Sequence, residues 1–160
     1  MIVETGTARG GSALYLASIC DLLDSGRVIT IDLRLPRPGA KRPSHPRIEY
    51  LTGSSVAPEV VQQVRESLAG NQGMVILDSN HGKPHVLNEL RTYAPLVGVG
   101  QYMIVEDTAI NGHPIMPEFG PGPMEAVEEF LGETDAYEID HDCEKFFLTS
   151  NPSGFLRRLR

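Results

Sequence analysis

The sequence predicts an α/β fold with a mostly parallel sheet and helices on both faces. Two patterns carry that reading. Short β-branched or apolar runs alternate along the whole chain with stretches of helical periodicity. The last two strand-like runs, residues 136–139 and 146–149, are joined by a connection too short for a helical crossover, so they are expected to pair antiparallel at one edge.

Each element follows from its local sequence. Residues 2–5 form an apolar run that ends in glycine-rich sequence. Ser12 opens a helix whose apolar stripe takes in Ala13, Leu14, Leu16, Ala17, Ile19, Cys20, Leu22 and Leu23, and Ser25-Gly26 stops it. Residues 28–32 are short and β-branched, which suits a buried strand. Residues 34–47 hold four prolines and five Lys or Arg residues. Proline lacks a ladder donor, so this stretch is a loop. Residues 48–51 make a third strand, and Pro58 sits well in the first turn of a helix running to Leu68. Residues 74–78 are a fourth buried strand. Lys83-Pro84 then starts a helix that turns Val86, Leu87 and Leu90 inward and ends before Gly98. Residues 102–105 form a fifth strand that runs into Glu106-Asp107. A Gly/Pro-rich loop from Asn111 to Pro123 precedes an amphipathic helix from Met124 to Leu131.

Composition narrows the function. The 160 residues carry 14 Lys+Arg against 21 Asp+Glu, a formal net charge of −7. That balance argues against nucleic acid as a partner, which needs a basic face. No apolar run approaches the ~18 residues of a membrane span. The length suits one domain over residues 1–160. Cys20 and Cys143 make no disulfide framework. With no charged-then-apolar opening, the expected location is cytoplasmic.

Between the first strand and the first helix lies Glu4-Thr5-Gly6-Thr7-Ala8-Arg9-Gly10-Gly11-Ser12, the layout of a nucleotide-cofactor site. Gly6 permits a tight turn and Gly10-Gly11 a close backbone approach. Asp32, at the carboxyl end of the next strand, can accept hydrogen bonds from both hydroxyls of a ribose. A dinucleotide turn places a glycine where this chain has Ala8, which weighs against NAD without excluding it. S-adenosylmethionine has a ribose but no phosphates, and Glu4 suits its amino group better than it suits a pyrophosphate. With Ser54 beyond the third strand, the candidate cofactor-binding residues are Glu4, Gly6, Thr7, Gly10, Gly11, Ser12, Asp32 and Ser54.

The chain resembles the cephalosporin hydroxylase family. The resemblance rests on the glycine turn, on Leu77-Asp78-Ser79-Asn80-His81, on Val105-Glu106-Asp107-Thr108, on Asn111-Gly112-His113-Pro114, on Gly120-Pro121-Gly122-Pro123 and on Asn151-Pro152-Ser153-Gly154-Phe155-Leu156. It implies the class I S-adenosylmethionine-dependent methyltransferase fold. That fold is a Rossmann-like three-layer sandwich around a seven-stranded sheet of order 3-2-1-4-5-7-6, with the last strand antiparallel. The chain is similar, more distantly, to metal-dependent O-methyltransferases acting on sugars in macrolide biosynthesis. Relatives carry a further segment before the first strand, so the resemblance also implies a domain without that cover, or a truncated, non-catalytic cofactor-binding protein.

If the fourth and fifth strands are neighbours, Asp78, Glu106 and Asp107 meet at their carboxyl ends, where open α/β sheets place ligands. Three carboxylates so close repel one another unless a cation sits among them. Oxygen ligands suit a hard divalent ion, with Mg²⁺ the default. From spacing alone, a helix cap at Asp78 and a solvated acidic turn satisfy the same residues. The resemblance assigns Asp78, Glu106 and Asp107 as Mg²⁺ ligands. It also makes His81 the general base, a role that histidine suits near neutral pH.

The function expected from these residues is Mg²⁺-dependent transfer of a methyl group from S-adenosylmethionine to a small-molecule hydroxyl, of a sugar or a polyketide-type product. Asp78 and His81 are its catalytic candidates. A hydroxylase would need two histidines and a carboxylate on one face, and no H-x-D/E pair follows any of the five histidines. An NAD-dependent oxidoreductase stays open. Two further expectations concern surfaces. Phe146-Phe147-Leu148 and Gly154-Phe155-Leu156 are either core or a homo-oligomer interface. Arg34, Arg37, Lys41, Arg42 and Arg47 are either a solvated loop or a cover for an anionic acceptor.

Overall fold

The computed structural model describes residues 1–34, 41–146 and 148–160. Its strands are β1 (Ile2–Thr5), β2 (Val28–Asp32), β3 (Ile48–Thr52), β4 (Met74–Leu77), β5 (Tyr102–Val105), β6 (Tyr137–Ile139) and β7 (Phe155–Arg158). Its helices are α1 (Gly11–Leu22), α2 (Pro58–Leu68), α3 (Lys83–Tyr93) and α4 (Pro123–Glu133), with short 3-10 turns at Ala94–Leu96 and His141–Glu144. The sheet runs in the order β3-β2-β1-β4-β5-β7-β6, as expected. Two compact units divide the chain, Met1–Gly73 and Met74–Arg160. None of the helices described is long and apolar enough to cross a membrane.

In the first unit, β1, β2 and β3 pair in parallel, with Val3 opposite Ile29 and Thr30 opposite Tyr50. Val3, Val28, Ile29 and Ile31 are fully or almost fully buried, which explains their β-branched or apolar run. α1 buries Ala13, Ala17 and Cys20. Its stripe is narrower than the sequence suggested. Leu22 and Leu23 are exposed, outside the buried face formed by Ala13, Ala17 and Cys20. α2 starts on Pro58 and buries Val60, Val61, Val64 and Leu68, a 3.6-residue periodicity.

In the second unit, β4 and β5 are parallel, while β7 pairs antiparallel with both β5 and β6. Among the described residues of 146–149, none forms the strand expected there. Phe146 and Leu148 are 81% and 92% exposed, and Phe147 lies outside the described residues. The closing strand is Phe155–Arg158, with Leu156 fully buried opposite Met103 on one side and Ile139 on the other. Gly154 decides which apolar run pairs. Its carbonyl accepts from the Val105 N–H at 2.8 Å, and an added Cβ there would overlap the Val105 carbonyl oxygen. Only glycine lets the chain enter the ladder at that point.

α3 buries Val86, Leu87, Leu90 and Tyr93, and α4 buries Pro123, Ala126, Val127 and Phe130. The Phe130 ring tilts against Tyr137 at 5.5 Å. Lys83 pairs with Glu129 at 2.8 Å, and Arg91 pairs with Glu129 and Glu133, tying α3 to α4.

Candidate active site

The glycine turn of the first unit is held open by backbone conformations that few residues adopt. Gly6 and Gly10 have φ of 94° and 77°, and Ala8 has φ of 45°. The Gly6 and Thr7 N–H groups both donate to the Ile31 carbonyl, at 2.8 and 3.2 Å, anchoring the turn on β2. Below it runs a chain of buried polar groups. Thr7 Oγ1 lies 2.7 Å from Thr30 Oγ1, and Thr30 Oγ1 donates to Glu4 Oε2 at 2.5 Å. Glu4 is 2% exposed, so its carboxylate braces the turn from inside. Gly11 and Ser12 are exposed in the first turn of α1. Ser54 follows Gly53, whose N–H donates to the Asp32 carbonyl at 2.9 Å.

Asp32 already serves three donors. Oδ2 accepts from the Ala8 N–H at 2.8 Å and from Arg42 at 3.0 Å, and Oδ1 accepts from the Arg34 N–H at 3.1 Å. An ionised carboxylate offers about four acceptor sites, so two ribose hydroxyls need one of these donors to withdraw. Arg42 is the residue that sequence reasoning misplaced. Its side chain is only 8% exposed, donates also to the Ala8 and Arg34 carbonyls, and lies 5.6 Å over the Tyr50 ring. Arg47 likewise pairs with Asp21 at 2.7 Å. These two cations are committed to the protein rather than presented to an anion; Arg37 lies outside the described residues.

In the second unit, ligand atoms of Asp78, His81 and Asp107 lie within 4.8 Å of one another. β4 delivers Asp78 directly after the buried Leu77, and β5 delivers Glu106 and Asp107 after the buried Val105. The Glu106 N–H donates to the Leu77 carbonyl at 3.0 Å, which keeps the two strand ends together. His81 stands between the aspartates. Nε2 is 3.4 Å from Asp78 Oδ1 and Nδ1 is 3.3 Å from Asp107 Oδ2. Nε2 is buried, and its nearest carboxylate among the described residues, at 3.4 Å, is too far for a hydrogen bond of ordinary length. Contact with Asp78 raises the His81 pKa, burial opposes this, and the charge of Asp107 adds to the rise. Glu106 also titrates above its ordinary value. Burial pushes it up, the Asn151 amide pulls it down, and the charges of Asp78 and Asp107 push it up again. Glu106, the third ligand the sequence suggested, is not in the group that converges within 4.8 Å; its Oε2 accepts from Asn151 Nδ2 at 2.7 Å.

This donor set fits a divalent cation. It is rich in carboxylate oxygen, which suits a hard ion. Asp78 and Asp107 bring two carboxylates within 4.8 Å of each other, a repulsion that a cation would relieve.

The loop between β5 and α4 is organised by Glu125, which the sequence did not single out. Oε1 accepts from Asn111 at 2.8 Å and lies 2.9 Å from His113 Nε2, while Oε2 accepts from the Gly122 N–H at 2.6 Å. Burial pushes this carboxyl up, but the donors from His113, Gly122 and Asn111 outweigh it and bring it down to about 2 from 4.5. A depressed acid adds stability above its unfolded pKa and loses it as pH falls through the folded value. The Glu125 contribution is thus complete above pH 4.5 and lost toward pH 2. Glu125→Gln is expected to cost about 1–2 kcal/mol at pH 7 and to lose most of that difference at pH 2.5, as read by urea unfolding at the two pH values. An unchanged difference at low pH would contradict the assignment.

The family described as rhamnosyl O-methyltransferase/CmcI matches residues 1–159. A rhamnosyl O-methyltransferase of Mycobacterium tuberculosis is 39% identical over 166 residues, covering 99% of this chain and 66% of its own length. Its namesake from Mycobacterium leprae is 34% identical, with 99% and 71% covered. Among solved structures, CmcI with Mg and SAM superposes with a TM-score of 0.70 at 24% identity, covering 99% of this chain and 64% of that one. MycE from the mycinamycin pathway, in complex with Mg, SAH and mycinamycin VI, superposes with a TM-score of 0.64 at 17% identity, with 99% and 44% covered. At these identities the structures speak for the fold, while the family match and the mycobacterial relatives reach the sequence itself. The chain belongs to the rhamnosyl O-methyltransferase/CmcI family.

Proposed function

We propose that this chain is a divalent-cation-dependent O-methyltransferase that carries a methyl group from S-adenosylmethionine to a hydroxyl of a small molecule. A sugar hydroxyl is the favoured acceptor. The observation that carries the reading is the convergence of Asp78, His81 and Asp107 within 4.8 Å, in a chain whose curated relatives are named rhamnosyl O-methyltransferases.

When bound, S-adenosylmethionine supplies an electrophilic methyl group and Mg²⁺ lowers the pKa of the acceptor hydroxyl. The rest falls to the protein. Gly6, Thr7, Gly10, Gly11 and Ser12 shape the seat of the donor, and Asp32 and Ser54 border it, with Asp32 taking the ribose. Glu4 stiffens the seat through Thr30 and Thr7. Asp78 and Asp107, with Glu106, hold the cation. His81, whose Nε2 is 3.4 Å from Asp78 Oδ1, takes the acceptor's proton. Asp107 Oδ2, 3.3 Å from Nδ1, steadies the imidazolium that forms. With a single histidine among three carboxylates, the donor set does not suit a non-haem iron hydroxylase, which needs two.

The test is direct. The protein is incubated with S-adenosylmethionine, Mg²⁺ and a panel of rhamnosides and other glycosides, and S-adenosylhomocysteine is quantified. Product is expected with a glycoside, and excess EDTA is expected to remove it. Formation unaffected by EDTA would overturn the role of the cation.

A further inference from the structure

We propose that Asn151 is a positioning residue that sets the two consecutive acids of the candidate metal site; the proposal rests on the divalent-cation reading above. Asn151 is 8% exposed, at the foot of the turn that leads into β7. Its amide meets both acids at once. Nδ2 donates to Glu106 Oε2 at 2.7 Å, and Oδ1 accepts from the Asp107 N–H at 2.8 Å. A carboxylate needs a donor and an N–H needs an acceptor, so the two partners fix the sense of the amide. Among the small side chains, an amide of this length supplies one of each in a rigid plane.

Asp107 needs such a hold. It has φ of 57°, a left-handed conformation that residues with a Cβ adopt less readily than glycine. Strained residues persist where their surroundings over-determine them. On a continuing strand, consecutive side chains alternate between faces. The left-handed step at Asp107 ends that alternation at the strand tip, where Asp107 converges with Asp78 and His81 within 4.8 Å.

The turn that carries Asn151 is itself anchored. Thr149 Oγ1 accepts from the Asn151 N–H at 3.0 Å, and Glu144 Oε1 accepts from the Ser153 N–H at 3.0 Å. Thr108 Oγ1 donates to the Pro152 carbonyl at 2.6 Å, and the Ala109 N–H donates to the Ser150 carbonyl at 3.0 Å. The last two bonds tie the same segments together without touching a carboxylate. That separates two roles: clamping the segments, which Thr108 shares, and orienting the acids, which belongs to Asn151.

The experiment titrates Mn²⁺ into the full chain and reads free ion by electron paramagnetic resonance. S-adenosylhomocysteine affinity and the thermal melt are followed in parallel. Asn151→Ala is expected to weaken Mn²⁺ about 10–100-fold, the usual cost of losing a partner that orients metal ligands. S-adenosylhomocysteine affinity should stay within about two-fold. Thr108→Val should lower the melting temperature and leave Mn²⁺ affinity within about two-fold. Should Asn151→Ala fail to fold, Asn151→Ser retains a hydroxyl that can serve one acid but not bridge both, and a loss of about tenfold is expected. A folded Asn151 variant that binds Mn²⁺ like the wild type overturns the proposal, as does a Thr108→Val variant that weakens Mn²⁺ equally. A wild-type protein that binds no Mn²⁺ overturns instead the cation reading on which the proposal stands.

Discussion

Asp78→Ala is expected to lower methyl transfer by at least about 10³-fold, the rate equivalent of the several kcal/mol that a bound cation contributes. S-adenosylhomocysteine binding is expected to persist. The two outcomes are read separately because the donor-binding candidates around the glycine turn do not include Asp78. Asp78 follows the buried Leu77 at the end of β4, and its Oδ1 is 3.4 Å from His81 Nε2. Truncation removes a carboxylate from the cluster and frees the ring it faces. Asp78→Asn is the sharper variant, since it keeps the shape and loses the charge. Activity in Asp78→Asn equal to the wild type would leave the acidic cluster without a catalytic role.

His81→Ala is expected to reduce turnover about 10²–10⁴-fold, the range for losing a positioned general base. Mn²⁺ affinity should change by no more than about threefold, because carboxylate oxygens rather than imidazole suit a hard ion. The pairing of measurements matters here. His81 stands within 4.8 Å of both aspartates, close enough to serve as a ligand itself. A drop in Mn²⁺ affinity of tenfold or more would move His81 from base to ligand. Turnover that survives the substitution would remove it from the mechanism.

The fold was legible because its signals are local. Residues 58–68 announce their helix through Pro58 and an inward repeat of valines, and residues 28–32 announce a buried strand through β-branching alone. Part of the acidic cluster was legible for a related reason. Asp78 and Asp107 follow the ends of β4 and β5, which pair in parallel, so the sequence could bring these two acids together. Residues 146–149 show where such reasoning fails. Two apolar runs, Phe146-Phe147-Leu148 and Phe155-Leu156, compete for one place in the ladder, and composition does not rank them. Gly154, against the Val105 carbonyl, decides in favour of the second.

Sequence alone determined the α/β alternation, the glycine turn and the acids that end β2, β4 and β5, because periodicity and turn chemistry act over a few residues. Tertiary structure alone decided who holds those acids: Arg42 on Asp32, His81 between Asp78 and Asp107, and the Asn151 amide across Glu106 and Asp107. An amide forty-five positions from its carboxylate leaves no periodic trace. Its partner is chosen only when the closing strand docks and buried polar groups must each find a mate.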